Sequence, residues 1–167
     1  MQRQMDVSNF LQYSDLIATS GQPSARDFES IAQAGYRAVI NLAMNNSVPA
    51  LPGEDHIVSS LGMAYVQIPV PFDQPAPQHF ALFAAAMREL ERTAVWIHCA
   101  LNKRVSAFMY LYNRIHRHQP QAQAAALLHT VWHPDPAWCN LIHTVLGNYG
   151  ISDTGVSHTG IGGTGAA

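Results

Sequence analysis

A cysteine at position 99 opens a short polar loop that carries two cations, Lys103 and Arg104, a setting in which a thiol can act as a nucleophile. They lie in Val95-Trp96-Ile97-His98-Cys99-Ala100-Leu101-Asn102-Lys103-Arg104-Val105-Ser106. The stretch opens as a short apolar run, the pattern of a buried parallel strand. It ends in a helical pattern, with Val105, Phe108, Met109, Tyr112 and Ile115 spaced along one face. Backbone N–H groups at a helix start lack intrahelical partners and sit at the positive end of the helix dipole. A turn of this kind holds an oxyanion, and its field favours a thiolate over a thiol. A cysteine there is a candidate nucleophile.

The elements that must position it follow the same reading. Leu16–Ala18 predicts a strand, closed by the turn residues Ser20-Gly21-Gln22-Pro23. Ser24 caps a helix that Gly35 ends. Tyr36–Leu42, Met63–Val70 and Ala94–His98 predict three further strands. Helices are expected over Glu54–Leu61, Pro77–Arg92, from the Cys99 loop to about Arg117, over Gln121–Val131, and near Ala137–Leu146. Alternating strands and helices predict a single α/β domain, a mainly parallel sheet of four or five strands flanked by helices. Functional residues in such sheets gather beyond the C-terminal strand ends. Both Asp73 and Cys99 fall there. Residues 1–14 read as a lead-in, 1–149 as the domain, and 150–167, rich in Gly, Ser and Thr, as a flexible tail.

His-Cys, a short loop, Arg and Ser resemble the active-site loop of the cysteine-dependent protein tyrosine and dual-specificity phosphatases. That family's pattern is His-Cys-x5-Arg-Ser/Thr. His98, Cys99 and Ser106 fall in register; Asn102 stands where Gly is usual, Val105 where Arg is usual, and Arg104 is one position early. Thr19-Ser20-Gly21-Gln22-Pro23 and Gly35-Tyr36-Arg37-Ala38-Val39-Ile40-Asn41-Leu42 resemble a bacterial phosphatase-like branch of unassigned substrate, sometimes fused to a metallo-β-lactamase-type hydrolase. The similarity spans roughly residues 10–120.

The resemblance implies Cys99 as nucleophile and Asp73 as general acid, the one carboxylate on the loop after the preceding strand. It implies that backbone N–H groups of Ala100, Leu101, Asn102, Lys103 and Val105 bind phosphate oxygens, and that Ser106 hydrogen-bonds the departing thiolate. His98 would order the loop from behind. Arg104 would supply the bidentate grip that lysine does not. The substrate class would be a phosphorylated small molecule or phosphoprotein. Two alternatives stay open. One is a pseudophosphatase binding module that keeps Cys99 but lacks an inward arginine. The other is a rhodanese-like sulfurtransferase, since Cys-x4-Arg is a spacing that class uses.

The whole chain sets limits on this. With 167 residues, 48% hydrophobic and 12% charged, it is globular and large enough for a proper core. A net charge of −2 does not point to nucleic acid or an anionic membrane. No apolar run is long enough to span a bilayer. The N-terminal stretch has no secretory pattern, so a cytoplasmic location is expected. Two cysteines cannot build a disulfide framework, and Cys139 beside Trp138 reads as core. The pairs His116 with His118 and His129 with His133 have spacings a metal accepts. They lack a Cys or carboxylate at ligand spacing, so neither metal nor cofactor is expected.

Overall fold

The computed structural model describes residues 6–156. Five strands form one sheet in the order β1-β2-β5-β3-β4. They are β1 (Leu11–Ser14), β2 (Ile17–Ser20), β3 (Ala38–Asn41), β4 (Ala64–Gln67) and β5 (Val95–His98). β5 is central, parallel to both β2 and β3, and β4 continues the parallel set. The lead-in expected before residue 15 is corrected: Leu11–Ser14 pairs antiparallel with β2 at the sheet edge. The alternation there is too short, and too mixed with Gln12 and Ser14, to stand out as a strand.

Register places Ser20, His98, Asn41 and Gln67 in one row across the sheet. In a parallel set that row marks the C-terminal edge, so the chain leaves it at Gly21, Cys99 and Leu42 side by side.

Helices cover both faces. α1 (Ala25–Gln33) and α2 (Glu54–Ser60) lie on one, where Phe28, Ile31 and Val58 pack with Val39 and Trp96. On the other lie α3 (Pro77–Glu89), α4 (Lys103–Ile115), α5 (Gln121–Val131) and α6 (Pro136–Asn148). There Phe80, Phe83, Phe108, Leu128, Trp138 and Ile142 pack with Ile40, Val95 and Ile97. Alternation along β5 explains the split: Val95 and Ile97 face one layer, Trp96 the other. Each large apolar side chain so buried contributes about 1.5–3 kcal/mol.

Local signals act as their chemistry dictates. Ser24 Oγ accepts from the Asp27 N–H at 3.2 Å while Asp27 Oδ2 accepts from the Ser24 N–H at 2.8 Å, a capping box that starts α1. Asp135 accepts from the Trp138 N–H at 3.0 Å and Pro136 occupies the first turn, so α6 begins at Pro136, just before the expected Ala137. α4 was expected to bury one face. Its residues from Arg104 to Asn113 are all buried, because α3, α5 and α6 enclose it against the sheet. It stops at Ile115, and His118 at φ 52° turns the chain into α5.

Within the stretch expected as a tail, 150–156 is docked. Asp153 Oδ1 accepts from Tyr110 at 2.8 Å and Gln121 at 2.9 Å, and Val156 is buried. The remaining tail positions, 157–167, lie outside the described residues.

Candidate active site

Cys99 follows β5 directly, and four anchors hold its loop. The Cys99 N–H donates to Ser20 O at 3.4 Å and the Gln22 N–H to Ala100 O at 3.0 Å. Asn9 Nδ2 donates to Leu101 O at 3.0 Å. Asn102 Nδ2 donates to Asn9 O at 2.7 Å and to Thr19 Oγ1 at 2.9 Å. Asn102 itself has φ 62° and ψ 4°, the left-handed region that Asn reaches more readily than most non-Gly residues. It takes the place of the usual glycine and adds two tethers that glycine cannot make. Gly21 is required by proximity: a Cβ there would meet Ala100 O at 2.8 Å.

α4 starts at Lys103, so the amides of Lys103, Arg104 and Val105 have no intrahelical acceptor. A cavity of about 210 Å³ lies at this helix start. Cys99, Ala100, Leu101, Lys103 and Arg104 line it from the loop; Ser47, Val48 and Phe72 line it from the loops after β3 and β4. Arg104 is 7% exposed. Its Nη2 donates to Ser47 Oγ at 3.4 Å, its guanidinium carbon sits 5.4 Å from the Phe72 ring centre, and its buried Nε has no partner. Lys103 Nζ lies 5.9 Å from the Phe72 ring and 5.3 Å from that of Trp132, cation–π distances. Two cations thus share one aromatic wall, and among the described residues no carboxylate lines the cavity.

The other expected site residues sit around it. Val105 is fully buried in the core beneath α4, so only its backbone N–H belongs to the loop. Ser106 Oγ donates to Lys103 O at 3.0 Å and accepts from Trp132 Nε1 at 3.2 Å. Asp73 is exposed and does not line the cavity, although its neighbour Phe72 does. Trp138 Nε1 pins that loop by donating to Phe72 O at 2.8 Å. His98 is buried beneath Cys99, on the α1–α2 face, with the Phe28 ring edge-on at 5.8 Å.

Sequence reasoning missed Glu54, the first residue of α2. It is 5% exposed and gathers every segment that carried the family resemblance. Its Oε1 lies 2.7 Å from His98 Nε2 and accepts from Asn41 Nδ2 at 3.0 Å and Tyr65 Oη at 3.1 Å. Its Oε2 accepts from Gln22 Nε2 at 2.6 Å. Burial pushes this carboxyl up, but His98, Gln22 and Tyr65 outweigh burial and hold it below the usual range. The available signal was Gln22 and Asn41 themselves: polar residues inside turn and strand segments need a buried partner.

No family model matches the chain. It is 29% identical over 119 residues to a β-lactamase hydrolase-like protein of Xylella fastidiosa, covering 70% of this chain and 27% of that protein. The chain therefore spans about a quarter of the length of that curated relative. A crystal structure of a phosphatase-like DUF442 protein from Shewanella putrefaciens superposes with a TM-score of 0.78 at 33% identity, covering 86% of this chain and 95% of that one. Two more distant structures share the fold. One is Tk-PTP in its active form, at TM-score 0.70, 16% identity and coverage of 81% and 95%. The other is kinase-associated phosphatase with its catalytic cysteine replaced by serine, at TM-score 0.71, 11% identity and coverage of 92% and 100%. With its cysteine loop at the C-terminal end of a central parallel strand, the chain belongs to the DUF442 family of phosphatase-like proteins and shares the fold of the protein tyrosine and dual-specificity phosphatases.

Proposed function

We propose that this protein is a cysteine-dependent phosphatase acting on a phosphate monoester of a small molecule or protein. The observation that carries the reading is Arg104: a buried cation with an unpartnered Nε, lining one cavity with Cys99. A buried guanidinium short of acceptors is matched by an oxyanion. Cys99, as thiolate, attacks phosphorus and forms a sulfur–phosphorus bond while the ester oxygen leaves. Loop amides and Arg104 stabilise the equatorial oxygens. Asp73 gives its proton to the leaving oxygen, which requires the Phe72 loop to close over the ester. Water, deprotonated by the same carboxylate, then cleaves the phosphocysteine and releases phosphate and thiolate. Ser106 supports the departing sulfur once its hydroxyl turns from Lys103 O.

A second reading draws on two observations: the Cys-x4-Arg spacing and a cavity with no carboxylate among the described residues that line it. Sulfur transfer needs no general acid, because sulfite leaves as a weak base. In that reaction Cys99 thiolate takes the outer sulfur of thiosulfate and releases sulfite. Cyanide then removes the sulfur as thiocyanate and regenerates the thiolate.

One set of assays separates the two. Phenyl phosphate, a poor leaving group, is offered to the native chain, Cys99→Ser and Asp73→Asn; thiosulfate with cyanide is offered to the same three. A phosphatase turns over the ester and loses about 10²-fold or more in Asp73→Asn. A sulfurtransferase forms thiocyanate, is indifferent to Asp73→Asn, and does not hydrolyse the ester. Neither product from the native chain would defeat both enzymatic readings and leave a binding module.

A further inference from the structure

A second cavity, of about 370 Å³, opens at the far end of α4 from Cys99. Asn113 lines it, about 15 Å from Lys103 along that helix at the usual rise per residue. Asn113 is 3% exposed, and its Oδ1 is buried without a hydrogen-bond partner among the described residues. Gln119 lines the same cavity, and its buried Oε1 is equally unpartnered. Two carboxamides in one cavity thus lack partners, and turning either amide over would only orphan an N–H group instead. Tyr13 from β1 and Leu127 from α5 add an aromatic and an apolar wall. Arg117 and His118 also line the cavity and are exposed, so they stand at its mouth. Arg117 has no ion-pair partner among the described residues; its guanidinium carbon lies 5.8 Å from the Tyr112 ring centre. No carboxylate is found among the described residues that line this cavity.

We propose that this cavity is a second binding site and that its ligand is a mononucleotide. The base lies against Tyr13 and Leu127, its polar edge meets Asn113 and Gln119, and its phosphate meets Arg117. Simpler ligands satisfy only part of the lining. An inorganic anion answers Arg117 and leaves both carboxamides unmet. An ammonium or guanidinium answers the amide oxygens and is opposed by Arg117. A base edge offers an N–H donor beside a ring acceptor, the pairing a carboxamide makes with adenine. Its face stacks on an aromatic ring, and its phosphate suits a guanidinium fork. The volume falls in the range of small-ligand sites. This cavity shares no lining residue with the one at Cys99, so the inference does not rest on the phosphatase reading.

Adenosine 5′-monophosphate is itself a phosphate monoester, so the experiment uses Cys99→Ser, which lacks the thiol needed for turnover. Calorimetric titration of that protein with the nucleotide should give binding that persists when Arg104→Ala is added. The affinity should fall about tenfold or more on adding Asn113→Leu, and about tenfold on adding Arg117→Ala. Ribose 5-phosphate, which lacks the base, should bind at least tenfold more weakly than the nucleotide. Leucine replaces an unpaired amide by hydrocarbon of similar size, so Asn113→Leu should keep or raise the melting temperature without ligand. An amide serving the fold alone would lower it. Should that variant melt early or fail to fold, the half-buried Gln119→Ala decides in its place, with the same loss of affinity expected. A native cavity that holds only water gives no heat with the nucleotide at millimolar concentration, which overturns the proposal. So does binding that the carboxamide variants leave intact, that Arg104→Ala abolishes, or that ribose 5-phosphate matches. A native chain with no ester hydrolysis would refute the phosphatase reading and leave this site untouched.

Discussion

The side-chain amide of Asn102 donates to the backbone carbonyl of Asn9 at 2.7 Å, across 93 positions of chain. The same amide reaches Thr19 Oγ1, so one residue ties the start of α4 to β2 and to the segment before β1. Asn102→Ala deletes both bonds and leaves a Cβ residue at φ 62°. A loss of about 2–4 kcal/mol is expected, from unpaired buried groups and left-handed strain together. Asn102→Gly removes the strain but not the lost bonds, so it should fall about 1 kcal/mol short of that. Urea unfolding of the three proteins checks the order.

Arg104→Ala should lower turnover of the proposed substrate on the order of 10²-fold or more, the scale for removing a transition-state charge donor. Arg104→Lys should rescue little, since an ammonium cannot fork. Val105→Arg, which would restore the usual register, should instead destabilise. Position 105 is fully buried in the core, and a charge there has no partner. Steady-state kinetics beside thermal melts distinguishes lost chemistry from lost fold.

The two thiols should differ in reactivity. Burial pushes the Cys139 thiol up, Asp135 and Asp153 add to it, and the thiol donates a hydrogen bond to Pro134 O. Cys99 is also buried, but it lines an open cavity beside two cations. Native-state labelling should therefore modify Cys99 first, and iodoacetate, an anion, should gain on iodoacetamide there. Preferential labelling of Cys139 would contradict a nucleophile at 99.

Much of this site was legible because its chemistry is local in sequence. Cys99, Arg104 and Asn102 lie within a few positions of one another, and the strand and helix around them have clear periods. β2, β3 and β5 could be read for the same reason: each is a short apolar run bounded by turn residues. What escaped is long-range. Glu54 looked like an ordinary acid at the start of a short helix; its meaning comes from His98, 44 positions on. Phe72 and Trp132 lie 60 positions apart in sequence, and only folding brings both rings against Lys103. Asp73 shows the converse. Its position after β4 matched the family's acid, but a position in sequence does not aim a side chain.

Acid should weaken the fold through Glu54. Its folded-state carboxyl is held below the ordinary glutamate range, so its stabilisation is complete above that range. It is lost as pH falls from about there through the lower folded value. Urea midpoints between neutral pH and pH 3 should decline, and Glu54→Gln should flatten that decline while starting lower. An equal slope in both proteins would assign acid sensitivity to other carboxylates.

Gly21→Ala adds one methyl and nothing else. The new Cβ would come within 2.8 Å of Ala100 O, which is backbone and cannot rotate aside. The loop must shift, at an expected cost of about 1–3 kcal/mol. Activity should fall more than stability does, because the displaced atoms flank Cys99. A folded, fully active variant would show that the loop tolerates movement.

The segment before β1 has a practical consequence for anyone preparing this protein. Val7 is buried, Ser8 O accepts from the Gly21 N–H at 2.7 Å, and Phe10 stacks on Trp96 at 5.5 Å. A recombinant boundary drawn at β2, where the recognisable strands begin, would keep Cys99, Arg104 and Glu54 yet remove one wall of their scaffold. Such a truncation would express with every signature residue in place and still fail in assays.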